Sequence, residues 1–225
     1  MKRVLSTLLT LKVMDNSNDF EIPYLDVEEQ WIWSLSQSPQ TEDTIRQFLP
    51  IWNWRALSAY QKLSEPLIRE MADLVQWSSI SRHQKLSEPF ITEFKDRVDW
   101  DYIVRHQKLS EPFILKHFSY IDINEVLRSQ KVSEEFIHKF ADPGDQYSSA
   151  CRLQKLSCEF LDAHSAYLSG SDWSTISKTQ VLTETFMHKY RYRLNWNKIS
   201  EFQTMSPRFI RGHENYMIWV NSKEG

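Results

Sequence analysis

Apolar and polar positions repeat along residues 38–225 with a period of about 23 residues. The clearest marker is the string QKLSEP, which begins at Gln61, Gln84 and Gln107, and looser copies begin at Gln130, Gln154, Gln180 and Gln203. An earlier copy spans residues 38–60. A fixed period of this length is typical of one small unit stacked on itself, not of a globular fold with one central core.

Each copy carries the signals of a first helix, helix A, if the Gln is numbered position 1. Position 4 is always an N-capping residue, which satisfies a backbone N–H at a helix start: Thr41, Ser64, Ser87, Ser110, Ser133, Ser157, Thr183 and Ser206. Position 5 is usually Glu, which suits the positive end of a helix. Apolar residues follow at helical spacing, as in Phe90, Ile91, Phe94 and Val98. The pattern predicts a helix A of about ten residues.

A second start, helix B, is predicted at position 16, where Asn53, Asp99, Asp122, Asp172 and Asn195 stand. A Trp usually follows, and the apolar spacing predicts a helix of about two turns. Helices this short are marginal alone, so stacking must stabilise them through Trp residues buried between copies, among them Trp77, Trp100 and Trp196. The predicted fold is all-α, an α-solenoid of about eight two-helix repeats with an N-terminal cap.

Two copies and the N-terminus depart from the pattern. The copy from Gln130 contains Pro143-Gly144, and the copy from Gln154 contains Ser169-Gly170-Ser171. Both predict longer turns between helix A and helix B. Such insertions either lie on a binding face or are neutral, and neutral insertion is favoured. Residues 1–37 are predicted to form the N-terminal cap with a partial repeat, and residues 38–225 the repeat array.

Composition narrows the class of protein. The 225 residues carry a net charge of −3, which argues against nucleic-acid binding over the whole surface. No apolar run approaches the length of a membrane span, so no membrane contact is expected. The two cysteines, Cys151 and Cys158, suggest no disulfide framework and suit a reducing compartment, which predicts a cytoplasmic location.

No motif predicts catalysis, a metal site or a cofactor. Four scattered glycines cannot form a phosphate-binding loop. Cys158 and His164 are the nearest approach to a nucleophile and base, but their spacing places them on different sides of helix A. The histidines recur in register, which favours packing or surface roles over metal ligation: His83, His106, His117, His138, His164, His188 and His213. The chain is therefore expected not to be an enzyme.

The Gln column is a polar residue on an otherwise apolar face. One interpretation is a buried hydrogen-bond ladder that satisfies backbone groups at the turns. The other is a row of amides that contact nucleic-acid bases. The ladder is favoured because the Gln stands beside packing positions in every copy.

A basic column carries the only functional signal. Stacking would align cations from the end of helix B along one edge, where they could follow a phosphate backbone or an acidic partner. The candidate partner-binding residues are Arg82, Lys85, Arg105, Lys108, Arg128, Lys131, Arg152 and Lys155. The structural alternative is that cations simply favour a helix C-terminus, and position 5 Glu could neutralise the neighbouring Lys.

The pattern QKLSEPFI…F…VDW..I…Q resembles the short two-helix repeats in uncharacterised proteins of bacteriophages and large DNA viruses. The resemblance covers residues 38–225 and brings no catalytic motif. It implies a viral accessory protein that acts inside the host cell, and by extension an inhibitor of a host defence factor.

Two functions follow from these observations. The first hypothesis is a non-enzymatic scaffold or inhibitor that binds a protein partner. The second is an RNA or DNA binder that holds the nucleic-acid backbone with the basic column.

Overall fold

The structure is a computed structural model that describes the backbone of residues 32–221 and the side chains of residues 32–217. These residues contain helices and turns and no β-strand. They fall into two compact units that meet between Leu109 and Ser110. The predicted N-terminal cap lies mostly outside the described residues.

The first unit stacks short helices in the predicted order. A helical segment at residues 32–37 precedes three pairs of helices, in which odd numbers are helix A and even numbers helix B. They are α1 (Glu42–Gln47), α2 (Trp54–Tyr60), α3 (Glu65–Glu70), α4 (Trp77–His83), α5 (Glu88–Glu93) and α6 (Trp100–His106). The helices B pack side by side, α2 on α4 and α4 on α6.

The second unit continues the alternation. Its helices are α7 (Glu111–Lys116), α8 (Ile123–Ser129), α9 (Glu134–Phe140), α10 (Asp145–Leu153), α11 (Cys158–Ala163), α12 (Gly170–Thr179), α13 (Glu184–Lys189), α14 (Trp196–Phe202), α15 (Pro207–Gly212) and α16 (Glu214–Asn221). The even-numbered helices pack in succession from α8 to α16. Each unit is therefore an all-α stack of two-helix repeats, which confirms the predicted fold class.

The predicted N-caps of helix A are confirmed in every copy. In each, the Ser or Thr side chain accepts a hydrogen bond from the backbone N–H three residues on, as Ser87 does from Phe90. The predicted length is wrong, because helix A has only six or seven residues. The helical spacing that linked Phe94 to Val98 is instead made by a turn, in which the Val98 N–H donates to the Phe94 carbonyl at 3.0 Å.

The irregular copies lengthen helix B. Helix α10 has nine residues and α12 has ten, against seven in α2, α4 and α6. Pro143-Gly144 does form a turn, and Gly144 has a φ of 110°, which favours glycine. The prediction for Ser169 to Ser171 is wrong, because Ser169 caps α12 and the next residues are helical. Asp172 is therefore not the N-cap but the third helical residue, and it closes a capping box with Ser169.

The Trp column is part of the core to different degrees. Trp173 and Trp196 are buried, the latter against the rings of His213 and Tyr216. Trp77 and Trp100, also predicted to be mostly buried, have most of their surface covered but are less buried than Trp173 and Trp196. Trp77 packs on Phe94 with ring centroids 4.8 Å apart. The column is thus structural, and its burial is uneven.

Candidate binding surface on the helix B row

The Gln column joins successive repeats through buried hydrogen bonds. The Gln84 side-chain amide donates to the carbonyls of Ser58 and Gln61 and accepts from the Leu63 N–H, at 2.7–3.0 Å. The same three bonds, shifted by one repeat, recur at Gln61, Gln107, Gln154, Gln180 and Gln203. The ladder prediction is confirmed. Because the side-chain amides are already hydrogen-bonded to backbone groups inside the stack, the base-contacting interpretation is left without support.

The glutamate at position 5 also joins repeats. The Glu65 carboxylate accepts the backbone N–H of Ser87 at 2.6 Å and its hydroxyl at 3.1 Å, which fixes the N-cap of the next helix A. The equivalent pairs are Glu42–Ser64, Glu111–Ser133, Glu134–Ser157 and Glu184–Ser206. Within residues 32–109, no ion pair joins these carboxylates to Lys62 or Lys85. The suggested neutralisation of the basic column is therefore not seen there.

Cations on the helix A side of the first unit are paired with acids of a neighbouring repeat. Arg46 contacts Glu70, Arg69 contacts Glu93 and Arg97 contacts Asp73, each at 2.8 Å. Carboxylates are dense on this side, which carries Glu42, Asp43, Glu65, Glu70, Asp73, Glu88, Glu93 and Asp96. These arginines therefore have acidic neighbours already in place.

The helix B side of the first unit is basic. We call it the B face and define it by the exposed residues of α2, α4 and α6 and the lysine after each helix: Arg55, Tyr60, Lys62, Arg82, His83, Lys85, Asp101, Arg105, His106 and Lys108. Asp101 is its only acid. No aliphatic side chain of α2, α4 or α6 is exposed. Four predicted site residues, Arg82, Lys85, Arg105 and Lys108, lie on this face.

A polar cavity of about 360 Å³ opens between the three helices B of the first unit. Arg55 comes from α2, Ser78, Ser79, Arg82 and His83 from α4 with its N-cap Gln76, and Tyr102 from α6. The Arg82 guanidinium lies 5.6 Å from the Tyr102 ring centroid. Arg55 and Arg82 form no ion pair with any residue of the described unit.

The surroundings of His83 disfavour its protonated form. Partial loss of solvation lowers the pKa of His83 below its ordinary value, and the positive charges of Arg82 and His106 lower it further. The cavity therefore presents two guanidinium groups beside an imidazole whose cation is disfavoured.

The second unit holds the other four predicted residues in equivalent positions. Arg128, Lys131, Arg152 and Lys155 are all exposed, but the surface they share is less basic. Arg128 lies 3.6 Å from Glu125, and Asp145 and Glu201 are exposed on α10 and α14. Apolar side chains also reach solvent here, with Leu153 50%, Val181 86% and Phe202 45% exposed. The charge separation of the first unit is not repeated in the second.

Sequence reasoning missed most of the cavity. Arg55 and Tyr102 do not recur in the aligned copies, whereas Gln76, Ser78 and Ser79 have the same residues at the equivalent positions 146, 148 and 149. A search for repeated columns selects the residues that join repeats. The signal that could have found Arg55 and Tyr102 is a polar or aromatic residue at a helix B position that differs from copy to copy.

The histidines and cysteines have structural partners. His138 Nδ1 lies 2.9 Å from His164 Nε2, and His188 Nδ1 lies 3.0 Å from His213 Nε2, each pair joining two repeats. Cys158 Sγ accepts the Thr183 N–H at 3.4 Å, in the place where other copies have the carboxylate. In the part of the chain that the structure describes, no three potential ligands are placed to hold a metal ion, and no helix is long and apolar enough to cross a membrane.

Comparison with protein-family models, with curated proteins and with solved structures finds no match for this chain.

Proposed function

We propose that this protein is a non-catalytic nucleic-acid-binding module that holds a phosphate backbone on the B face. The carrying observation is the separation of charge in the first unit. Arginines of the helix A side are paired with acids, whereas Arg55 and Arg82 lack an acidic partner there and share the face with Lys62, Lys85 and Lys108. A surface of this kind attracts phosphates although the whole chain is weakly acidic.

The composition of the B face favours nucleic acid over a protein partner. Protein interfaces need buried aromatic or aliphatic anchors at their centre. The B face offers Tyr60 and otherwise polar groups, and the cavity between its helices adds Tyr102. Tyrosines among arginines and lysines suit bases and phosphates, since bases stack on aromatic rings and phosphates bind cations.

The experiment measures binding of a labelled single strand by fluorescence anisotropy at several salt concentrations. We expect steep salt dependence, because each neutralised phosphate releases counterion. The double variant Arg82→Glu, Arg105→Glu should lose most of the affinity. Its matched control, Arg69→Glu with Lys95→Glu, makes the same change of charge on the helix A side and should keep most of it. Equal losses in the two variants would reject the B face as the binding surface.

A protein partner is the second candidate, favoured by the exposed Leu153, Val181 and Phe202 of the second unit. Such a partner would bind with weak salt dependence and survive nuclease treatment. Leu153→Asp with Val181→Asp should then abolish binding, while the B-face variant retains it. Binding that follows the B-face charge instead would remove this candidate.

The compartment and origin belong to the same proposal. Neither cysteine forms a disulfide, which supports action in a reducing cytoplasm. A viral accessory role in a host cell stays a prediction that rests on the resemblance of the repeats. Retention of a tagged protein in the cytosolic fraction of the host would test the location.

A further inference from the structure

We propose that the polar cavity between α2, α4 and α6 is a single-strand subsite that holds one phosphate and stacks the adjoining base on Tyr102. This inference rests on the proposed function. It adds that the nucleic acid is single-stranded and names the residues that select a single strand over a duplex. Binding would then depend on the shape of the cavity and not only on the positive charge of the B face.

The cationic wall of the cavity comes from different repeats. Arg55 lies on α2 and Arg82 on α4, and both line the same space of about 360 Å³. Guanidinium groups donate several hydrogen bonds in a fixed plane and match phosphate oxygens well. Two arginines without an acidic partner in the described unit can both be used on an incoming anion.

The aromatic wall is held in place. The Tyr102 backbone N–H donates to the Asp99 carboxylate at 3.3 Å, which anchors the start of α6. The ring is partly buried and lies under the Arg82 guanidinium, 5.6 Å from it. A ring beside a phosphate site offers a stacking surface to an unpaired base, and such stacking is tolerant of sequence.

Neutral donors complete the cavity. Ser78 and Ser79 each contribute a hydroxyl, and the Gln76 amide donates to Ser78 Oγ at 3.3 Å. Hydroxyl and amide groups can bond the sugar, the base edge or a phosphate oxygen. The volume lies at the low end of ligand pockets, which suits one nucleotide unit and not a duplex. Duplex bases are stacked inside the helix, so only a single strand can supply one to Tyr102.

The test compares variants of the full chain against three probes: a labelled twelve-nucleotide oligouridylate, a blunt-ended RNA duplex of equal charge and polyglutamate of equal charge. Arg55→Ala and Tyr102→Leu should each weaken oligouridylate binding about tenfold, since one stacked base contributes on the order of 1–3 kcal/mol. The matched control Lys85→Ala removes a B-face cation outside the cavity. It should weaken binding two- to threefold and lower the salt slope by about one phosphate.

Two further measurements separate stacking from folding. Tyr102→Phe keeps the ring and should retain affinity within about twofold, and circular dichroism should show equal helix content in all variants. On irradiation, a 5-iodouridine probe should crosslink to Tyr102 of the wild-type protein, and mass spectrometry identifies the modified residue.

The outcomes distinguish the two proposals. If Arg55→Ala and Tyr102→Leu weaken binding no more than Lys85→Ala, the subsite is rejected and the B face stands as a general phosphate surface. Equal affinity for the duplex and the single strand also rejects it. If no nucleic acid binds, or polyglutamate binds as well as oligouridylate, the proposed function fails together with the subsite.

Discussion

The Gln84 carboxamide donates to the Gln61 backbone carbonyl, 2.7 Å away and one repeat earlier in the chain. Both residues are buried, with 6% of their surface exposed. The joint between repeats is therefore polar at its centre, and its stability depends on every donor and acceptor there finding a partner.

Replacing Gln84 by Ala should destabilise the protein by about 3 kcal/mol, because it leaves the carbonyls of Ser58 and Gln61 and the Leu63 N–H without partners. Urea unfolding followed by circular dichroism gives the difference. Lys85→Ala is the neighbouring exposed control and should change stability by less than about 0.5 kcal/mol. Coincident unfolding curves for Gln84→Ala and the control would contradict a role of the ladder in stability.

Cys158→Glu should stabilise the second unit. A carboxylate at this position in other copies accepts the backbone N–H and the hydroxyl of the next N-cap, as Glu134 does from Ser157. Cys158 offers Thr183 only a weak sulfur acceptor, at 3.4 Å from the backbone nitrogen. We expect a gain of about 1 kcal/mol in thermal or urea unfolding. Cys158→Ala is the control, and a Glu variant no more stable than it would count against the prediction.

Trp173→Phe should cost less stability than Trp196→Phe. Both indoles are buried, but Trp196 Nε1 donates to the Arg191 carbonyl at 2.8 Å, whereas Trp173 Nε1 has no hydrogen-bond partner among the described residues. The two substitutions remove similar volume, so the lost hydrogen bond should separate them by about 1 kcal/mol. Urea unfolding of the two variants measures the difference in the free energy of unfolding. A larger cost at Trp173 would contradict the role given to the Trp196 hydrogen bond.

The two thiols should react at very different rates. Burial, with a smaller contribution from the nearby Asp172, raises the pKa of the Cys151 thiol to about 12. At pH 8 the Cys151 thiol therefore stays protonated and buried, while Cys158 is partly exposed. Iodoacetamide should therefore modify Cys158 alone in the native protein and both residues in denaturant. Peptide mapping identifies the sites, and early labelling of Cys151 in the native protein would show that this part of the core opens.

His83 should titrate below the ordinary midpoint of about 6.5. Partial loss of solvation disfavours its cation, followed by repulsion from Arg82 and His106. Arg82→Gln should move the midpoint upward, and His83→Asn assigns the resonance in NMR spectra. Since the neutral form is favoured by folding, the stabilisation is complete above pH 6.5 and falls as the pH drops through 6.5 toward the lowered midpoint. A midpoint above 6.5 in the free protein would contradict this.

The fold was accessible from sequence because its signals are local and repeated. The Ser87 side chain caps its helix by accepting the backbone N–H three residues on. The residues around Gln84 recur around the equivalent Gln of other copies, so the roles of both residues follow from spacing. The partner of Glu65 lies 22 residues on, at Ser87, and local capping rules do not reach that far. Asp172 was misplaced because the inserted residues moved the start of α12 to Gly170.

The candidate site was harder to predict from the sequence than the fold, because it depends on residues that differ between copies. Arg82 was selected since it belongs to a column, but Arg55 and Tyr102 stand where other copies have unrelated residues. Their proximity arises from the side-by-side packing of α2, α4 and α6. Alignment of the repeats compares equivalent positions only, so it does not show contacts between different positions of neighbouring copies. Charge pairing was equally hidden, because Arg69 and Glu93 meet only in the folded stack.

The bonds that Gln61 and Gln84 make have a genetic consequence. Lys-Leu-Ser-Glu-Pro follows each of them, so excision of residues 62–84 would join Gln61 to Lys85 and restore the same motif at the seam. Every donor and acceptor at the new joint would find the partner it has now, one repeat away. We therefore expect chains that lose or gain one such repeat by unequal recombination to fold, because each joint keeps its hydrogen bonds.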